Sequence, residues 1–323
     1  MRFDQPDWDD AVTALRGAGS VAIACHVNPD GDALGSLLAA SLGLRSVGKQ
    51  TQASWGSEPA DVPFSYAFMP GLDALVQPGD VTDADVFLVL DCGAAHRLGS
   101  LEAKARDGGV VINVDHHPGN ENFGKHNIVV TTASSTAEIV TRLLQDLGVT
   151  IDRDIATCLY VGIVTDTGRF QYSNSTPDTL RLAADLLALG VDAPFIAQEV
   201  YDSSPFGFLK LTGRVLDRAT LHPDERFVYT WITHEDLDET GVAMDETDKL
   251  VDIVRATRAA DVAAIFKQQT DGRWRASLRS KGPSVGALAR SRGGGGHDLA
   301  AGFTADDIDQ TVVGLLDDLR SAK

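Results

Sequence analysis

The sequence predicts an α/β protein, an N-terminal doubly wound parallel sheet followed by a smaller C-terminal α+β domain with a mixed sheet. Three observations lead there. Short apolar runs alternate with helix-like patterns through the first part of the chain. Each of those runs ends in Asp or His. Beyond residue 205 the alternation gives way to paired strands flanked by helices. The first pattern is that of βαβ units, and the last is that of an α+β domain.

Val21–Cys25, Val86–Leu90 and Val110–Val114 are continuous apolar runs, suited to strands covered on both faces. Helical patterns lie between them at Leu34–Val47 and Leu98–Arg106. Ser135-Thr136-Ala137-Glu138 matches a capping box, and Gly148 is a stop for the helix it opens. Ile155, Leu159 and Ile163 recur at helical spacing and lead into Val164-Thr165-Asp166. Pro177 starts the next helix and Gly190 ends it. VDAPFIAQEVYDSSP then reads as a short helix and a connector. After it come a helix (Phe206–Leu221), a strand (Phe227–Thr233) and a helix (Glu246–Thr257). Two strands (Val262–Gln268 and Trp274–Arg279) and a closing helix (Asp306–Leu319) follow. Asp271-Gly272 supplies the turn between those two strands. The expected boundaries are 1–195 for the first domain, 196–210 for a linker and 211–323 for the second domain.

The chain's 323 residues suffice for two cores, and 43% hydrophobic with 23% charged residues is the balance of a soluble globular protein. No apolar run reaches the ~20 residues that span a bilayer. The acidic start, MRFDQPDWDD, is unlike a signal or transit peptide. Cys25, Cys92 and Cys158 make no CxxC pair, so a reducing cytoplasm is expected. A net charge of −18 excludes generic coating of long duplex nucleic acid. One segment departs from that balance: Gly272 to His297 holds no acid, but it holds Arg273, Arg275, Arg279, Lys281, Arg290 and Arg292. An acidic protein with one cationic segment suggests a focused anion site, although solvated strand ends would look the same.

HVNPDGDALGS follows the first apolar run and places His26, Asp30 and Asp32 at its exit. The second run leads to Asp91, the third to Asp115, His116 and His117, and the helical pattern at 155–163 to Asp166. A single Asp after a strand is commonly a helix cap. Several independent exits carrying the same chemistry are better explained by convergence at the shared carboxyl edge of a parallel sheet. So many carboxylates in one place would raise one another's pKa values unless cations offset them. Imidazole and carboxylate without thiolate favours Mn²⁺ or Mg²⁺. Alternation along the strands points Cys25 and Cys92 into the core. Two ions sharing a carboxylate could clamp a phosphoryl group and activate a bridging water.

HVNPDGDALGS, Asp91 in LVLDCG, the Asp115-His116-His117 triplet and GIVTDTGRF resemble the four motifs of the DHH phosphoesterase family. RSKG and RGGGGHDLAAGF resemble its DHH-associated C-terminal domain. The likeness is greatest to the nanoRNase and pAp-phosphatase (NrnA-like) branch. It implies one metal on His26, Asp30 and Asp91 and a second on Asp32, Asp91, His116 and Asp166. Asp91 would bridge, His117 would face the scissile phosphate and Asp115 would orient its neighbours. Arg279, Ser280, Gly294, Gly295, Gly296 and His297 would grip substrate; four consecutive glycines can also form an anion nest. A flexible glycine loop is the plainer alternative.

The expected activity is hydrolysis of short oligoribonucleotides and of 3′-phosphoadenosine 5′-phosphate (pAp), with cyclic di-AMP or its linear product as further substrates and a metal-bridging hydroxide as nucleophile. The expected cofactor is a pair of Mn²⁺ ions, with Mg²⁺ as the other choice. The resemblance also implies a homodimer. Alternatives are a manganese-dependent inorganic pyrophosphatase, a long-substrate single-strand exonuclease and a nucleotide sensor that has lost its chemistry. Trp274 and Phe303 could stack a base, but their strand-like contexts favour core packing.

Overall fold

The structure, a computed structural model, describes residues 3–321. The chain divides into two compact units, Met1–Asp202 and Ser203–Lys323.

The first unit is built on a five-stranded parallel sheet: β1 (Ser20–Cys25), β2 (Gln50–Trp55), β3 (Val86–Leu90), β4 (Val110–Asp115) and β5 (His126–Val129). Its order is β2-β1-β3-β4-β5. Successive side chains of a strand point to opposite faces, and both faces are covered here. Val21, Ile23, Leu88, Leu90, Ile112 and Val114 enter one core, while Ala22, Ala24, Phe87 and Val89 enter the other. That is why the central strands read as unbroken apolar runs. The edge strands β2 and β5 escape such a reading, because QTQASW begins on exposed polar residues and HNIV is short and half-exposed.

The helices of this unit are α1 (Trp8–Gly17), α2 (Gly31–Ser46), α3 (Glu102–Asp107), α4 (Thr136–Asp146), α5 (Arg153–Asp166), α6 (Pro177–Ala188) and α7 (Ala193–Ala197). The Leu98–Arg106 pattern is realised as a 3₁₀ segment, Ala95–Leu101, followed by the short α3. Helix α2 is buried almost all round and packs closely on α5. A Cβ on Gly35 would lie 2.5 Å from the Cys158 carbonyl oxygen, and one on Gly31 would lie 2.4 Å from Thr165 Oγ1. Glycine at those two places lets the backbones approach. Ser135 caps α4 by accepting from Glu138 N–H at 3.2 Å. The expected reciprocal bond is shifted by one residue, however: the Glu138 carboxylate accepts from the N–H and Oγ of Ser134.

Residues 196–210, expected as a linker, are largely helical. They contain the end of α7, a π-helical turn Gln198–Asp202 and the start of α8 (Phe206–Asp217).

The second unit has a six-stranded mixed sheet of order β10-β11-β9-β8-β7-β6, in which only β7 and β8 are parallel. Its strands are β6 (Thr220–His222), β7 (Phe227–Ile232), β8 (Val262–Gln268), β9 (Trp274–Ser280), β10 (Gly295–Gly296) and β11 (Ala300–Ala305). Its later helices are α9 (His234–Thr240), α10 (Leu250–Arg255), α11 (Val285–Arg290) and α12 (Ile308–Ser321). Val262, Ala264, Phe266, Ala276 and Leu278 meet α11 and α12 on one face of the sheet. Val228, Ile232, Ala263 and Ile265 meet α8, α9 and α10 on the other. The helix expected over Phe206–Leu221 stops at Asp217, because β6 begins at Thr220. The Glu246–Thr257 pattern is a 3₁₀ turn (Asp245–Lys249) running into α10. Helix α9 has a Thr233/Asp236 capping box and ends on Gly241 at φ +66°, both readable signals. Phe303 is buried in the core and Trp274 packs against it, as their strand contexts suggest. Among the described residues no helix is long and apolar enough to cross a membrane.

Candidate metal centre

In the first unit the chain passes from β1 outward to β2 on one side and to β3 on the other, which makes a topological switch point. Ligands of open α/β sheets collect at the carboxyl ends of strands at such a point. His26 leaves β1 there, Asp91 leaves β3, and Asp115, His116 and His117 end or follow β4. Asp30 is the N-cap of α2 and Asp32 lies in its first turn, while Asp166 is the last residue of α5.

These residues meet. Asp91 lies at the centre, 2% exposed, with its backbone at φ +54°. A left-handed backbone is unusual outside glycine, though Asp tolerates it, and it turns the strand exit sharply. His26 Nε2 is 3.5 Å from Asp91 Oδ2 and 4.0 Å from Asp30 Oδ2. His116 Nε2 is 3.7 Å from Asp91 Oδ1, 3.8 Å from Asp32 Oδ2 and 3.5 Å from Asp166 Oδ2. His117 Nδ1 is 2.7 Å from Asp115 Oδ1 and 3.6 Å from Asp91 Oδ1.

The tautomers follow from the partners. His26 Nδ1 lies 2.9 Å from the Val27 carbonyl and His116 Nδ1 lies 3.4 Å from the Ala133 carbonyl. A carbonyl only accepts, so both Nδ1 atoms carry hydrogen and leave Nε2 as the electron-pair donor. Each Nε2 then faces carboxylate oxygens at distances longer than a hydrogen bond. Electron pairs directed at one another across such gaps are the arrangement a cation resolves. His26, Asp30 and Asp91 form one group whose ligand atoms lie within 4.8 Å of one another, and Asp32, Asp91 and His116 form another. The donor set therefore fits divalent metal, with Asp91 common to both groups.

The electrostatics agree. Burial, followed by the charges of Asp91, Asp166 and Asp30, pushes the Asp32 carboxyl well above its ordinary range. Burial also pushes Asp166 up, to about 6, against the opposing pull of His116. Asp91 goes the other way: burial would raise it, but the hydrogen bond from His26 and the positive charge of His117, His26 and His116, when those rings are protonated, hold it well below the usual range; with the Nε2 atoms unprotonated, a cation would take that place. Burial lowers His117, yet the hydrogen bond to Asp115 outweighs it and brings the imidazole to about 9. The thiols stay out of the chemistry, since burial raises Cys25 well above its ordinary value and Cys92 to about 12.

Two positioning residues are missing from the sequence reading. Thr136 donates its N–H to Asp32 Oδ2 at 2.7 Å and its Oγ1–H to Asp91 Oδ1 at 2.9 Å. Asn120 donates to Asp115 Oδ2 at 2.6 Å and to Asn113 Oδ1 at 2.7 Å. In sequence the first is indistinguishable from a helix-start threonine and the second from a turn asparagine. Ala137 N–H also donates to Asp32 Oδ1 at 2.9 Å, so Asp32 closes the N-terminus of α4 from another helix.

The remaining candidates lie in the second unit. Arg279 and Ser280 end β9; Ser280 is buried, and its Oγ accepts from Gly282 N–H at 3.0 Å. Gly294 precedes β10, Gly295 and Gly296 form it, and His297 follows it. The glycine run is not an open nest along its length. Gly293, Gly294 and His297 donate their N–H groups to the carbonyls of Arg290, Ala289 and Ala300. Two of the glycines are needed for packing: a Cβ on Gly294 would sit 2.1 Å from the Gly302 carbonyl oxygen, and one on Gly296 would sit 2.6 Å from the Ala300 carbonyl oxygen.

The DHH family, N-terminal domain, matches residues 20–163, and the DHHA1 domain matches residues 224–322. The chain is 34% identical over 306 residues to the bifunctional oligoribonuclease and PAP phosphatase NrnA of Thermus thermophilus, covering 94% of this chain and 90% of that protein. It is 28% identical over 297 residues to the protein of the same name from Bacillus subtilis, covering 90% and 91%. Among solved structures, an exopolyphosphatase-related protein from Bacteroides fragilis aligns with a TM-score of 0.87 at 27% identity, over 98% of this chain and 96% of that one. With both family domains matched in order and a 34%-identical relative covered over 90% of its length, this chain belongs to the DHH family.

Proposed function

We propose that the chain is a metal-dependent phosphoesterase that hydrolyses short oligoribonucleotides and converts pAp to AMP. The observation that carries this reading is the meeting of His26, Asp30, Asp32, Asp91, His116 and Asp166 at the switch point of the sheet, with imidazole Nε2 atoms facing carboxylates. The names borne by the relatives supply the substrate class.

His26, Asp30 and Asp91 would hold one ion, and Asp32, Asp91, His116 and Asp166 a second. The absence of thiolate supports Mn²⁺, with Mg²⁺ as substitute. Such a pair, when bound, supplies an acidified water and neutralises charge on a phosphoryl group. The chain's own groups do the rest. Asp115 accepts the Nδ1 hydrogen of His117 and fixes its ring, so Nε2 is the atom that can meet a phosphoryl or leaving oxygen and hold or deliver a proton there. Asn120 and Thr136 hold Asp115 and Asp91 in place.

Metal chemistry is assigned to the first unit, and the grip on substrate phosphate to Arg279, Ser280 and the segment from Gly294 to His297 in the second. The acidic surface disfavours long duplexes, and the buried free cysteines fit a reducing cytoplasm. Cyclic di-AMP or its linear product extends the substrate class, and a homodimer is the proposed assembly.

The test is a side-by-side turnover assay with Mn²⁺ of pAp, a diribonucleotide, short and long oligoribonucleotides, cyclic di-AMP and pyrophosphate. Release of AMP from pAp and mononucleotides from the short RNAs is expected. Turnover of pyrophosphate alone would make the chain a pyrophosphatase. Binding without turnover under any divalent cation would make it a sensor.

A further inference from the structure

The inference here rests on the reading that the substrate is a short oligoribonucleotide, and it concerns how length is recognised. Strand β9 sends Trp274, Ala276 and Leu278 towards the core shared with α11 and α12. By strand alternation Arg275, Ser277 and Arg279 stand on the opposite face. Arg275 and Arg279 are about 13 Å apart along the strand at ~3.3 Å per residue, which is about two steps of an extended ribose–phosphate chain. Ser277 supplies a hydroxyl midway.

The row is open on the β11 side, where the neighbours are small, and walled by α10 on the β8 side. On β11, Thr304, Gly302 and Ala300 lie in register with the three residues and are small. On β8, Lys267, Ile265 and Ala263 are their partners. Lys267 is 2% exposed and ion-paired with Asp248, and the charges of Arg275 and Arg279 act on both members of that pair. Asp252 lies beside the row, 3.7 Å from Arg279 Nε and 3.4 Å from Arg255 Nε. Arg275 and Arg279 thus cluster with the paired Lys267 on this strip, in a chain whose net charge is −18. Arg279 Nη1 donates to the Leu278 carbonyl at 3.0 Å, while its buried Nε has no hydrogen-bond partner. The row is also graded: Arg275 is exposed, whereas Ser277 and Arg279 are half-buried. Its recessed end lies at Arg279 and its open end at Arg275.

We propose that Arg275, Ser277 and Arg279 form a track for consecutive phosphates of a single-stranded oligoribonucleotide. Arg279 meets the phosphate that pAp also carries. Arg275 meets one that only longer substrates possess, so it sets how oligomers are preferred over pAp. A cationic strip following the sugar–phosphate backbone binds by charge and geometry, not by base.

The test measures binding of a fluorescein-labelled five-nucleotide RNA by anisotropy across a salt series. It uses full-length protein in Ca²⁺, with cleavage followed in parallel and pAp as competitor. Arg275→Gln should weaken the RNA about fivefold to tenfold, as for one exposed charge-assisted contact. It should also flatten the dependence of log K on log salt by about 0.7 and leave pAp affinity unchanged. Arg320→Gln removes an equal charge from an exposed arginine on α12, paired with Glu225 and Asp317, and should change neither. RNA binding by Arg275→Gln equal to wild type, an equal loss for pAp, or an equal effect of Arg320→Gln would each overturn the track. Wild-type protein that binds RNA but cleaves nothing in Mn²⁺ would instead count against the activity, leaving the comparison of variants intact.

Discussion

Thr136 and Asp32, separated by 104 residues of sequence, are joined by a 2.7 Å hydrogen bond from the threonine N–H to Oδ2 of the acid. The same threonine reaches Asp91 through its hydroxyl. One residue at the start of α4 therefore sets the spacing of two carboxylates that come from different elements.

Thr136→Val keeps the N–H and the side-chain volume but removes the hydroxyl. Groups that orient metal ligands typically contribute 10- to 100-fold in affinity or activity. Manganese affinity by calorimetry and kcat on pAp should fall by about that factor, with little change in Tm. Wild-type affinity would show that the Oγ1 contact is idle.

Gly162 of α5 faces the same acid from the other side. A Cβ there would lie 2.6 Å from Ala137 Cβ and 2.8 Å from Asp32 Oδ1. Gly162→Ala should destabilise the fold by about 1–3 kcal/mol through overpacking and weaken metal binding as Asp32 is displaced. Urea unfolding and metal titration check the two effects separately. An unchanged midpoint and affinity would mean that the helices have room to move apart.

Arg279→Ala should raise KM for pAp and short RNA more than it lowers kcat, because a grip made equally in ground and transition states acts on binding. Steady-state kinetics decide this. A fall in kcat at constant KM would give Arg279 a different role.

The second unit offers a prediction on pH. Burial would raise Asp236, but Arg218 donates to both its oxygens at 2.6 and 2.7 Å and brings it to about 2. A folded pKa below the unfolded value stabilises the protein above the unfolded pKa, and that stabilisation is lost as pH falls towards about 2. The shift corresponds to about 2 kcal/mol at neutral pH. Asp236→Asn should lose roughly that in urea unfolding at pH 7, with the difference from wild type shrinking below about pH 4. A difference independent of pH would assign the loss to packing.

The meeting of acids and imidazoles was legible because His26, Asp91 and Asp115 to His117 sit directly after the apolar runs of β1, β3 and β4, where topology places them together, and because Asp166 closes the helical pattern of α5. The positive φ of Asp91, the role of Thr136 and the link from Asn120 to Asp115 were not, since each depends on a contact distant in sequence or on backbone geometry. The edge strands β2 and β5 lacked the apolar run that marked their neighbours, because β2 begins on exposed polar residues and β5 is short and half-exposed. The glycine run was read as an anion nest from its composition. Its N–H groups at Gly293 and Gly294 are instead taken by carbonyls at the end of α11, a local cap that composition cannot reveal.

The central claim is that Asp91 is shared between two divalent ions, and anomalous diffraction from crystals soaked in Mn²⁺ tests it most directly. The account predicts two peaks flanking Asp91, one beside His26 and Asp30, the other beside Asp32, His116 and Asp166. A single peak, or none among these residues, would contradict it.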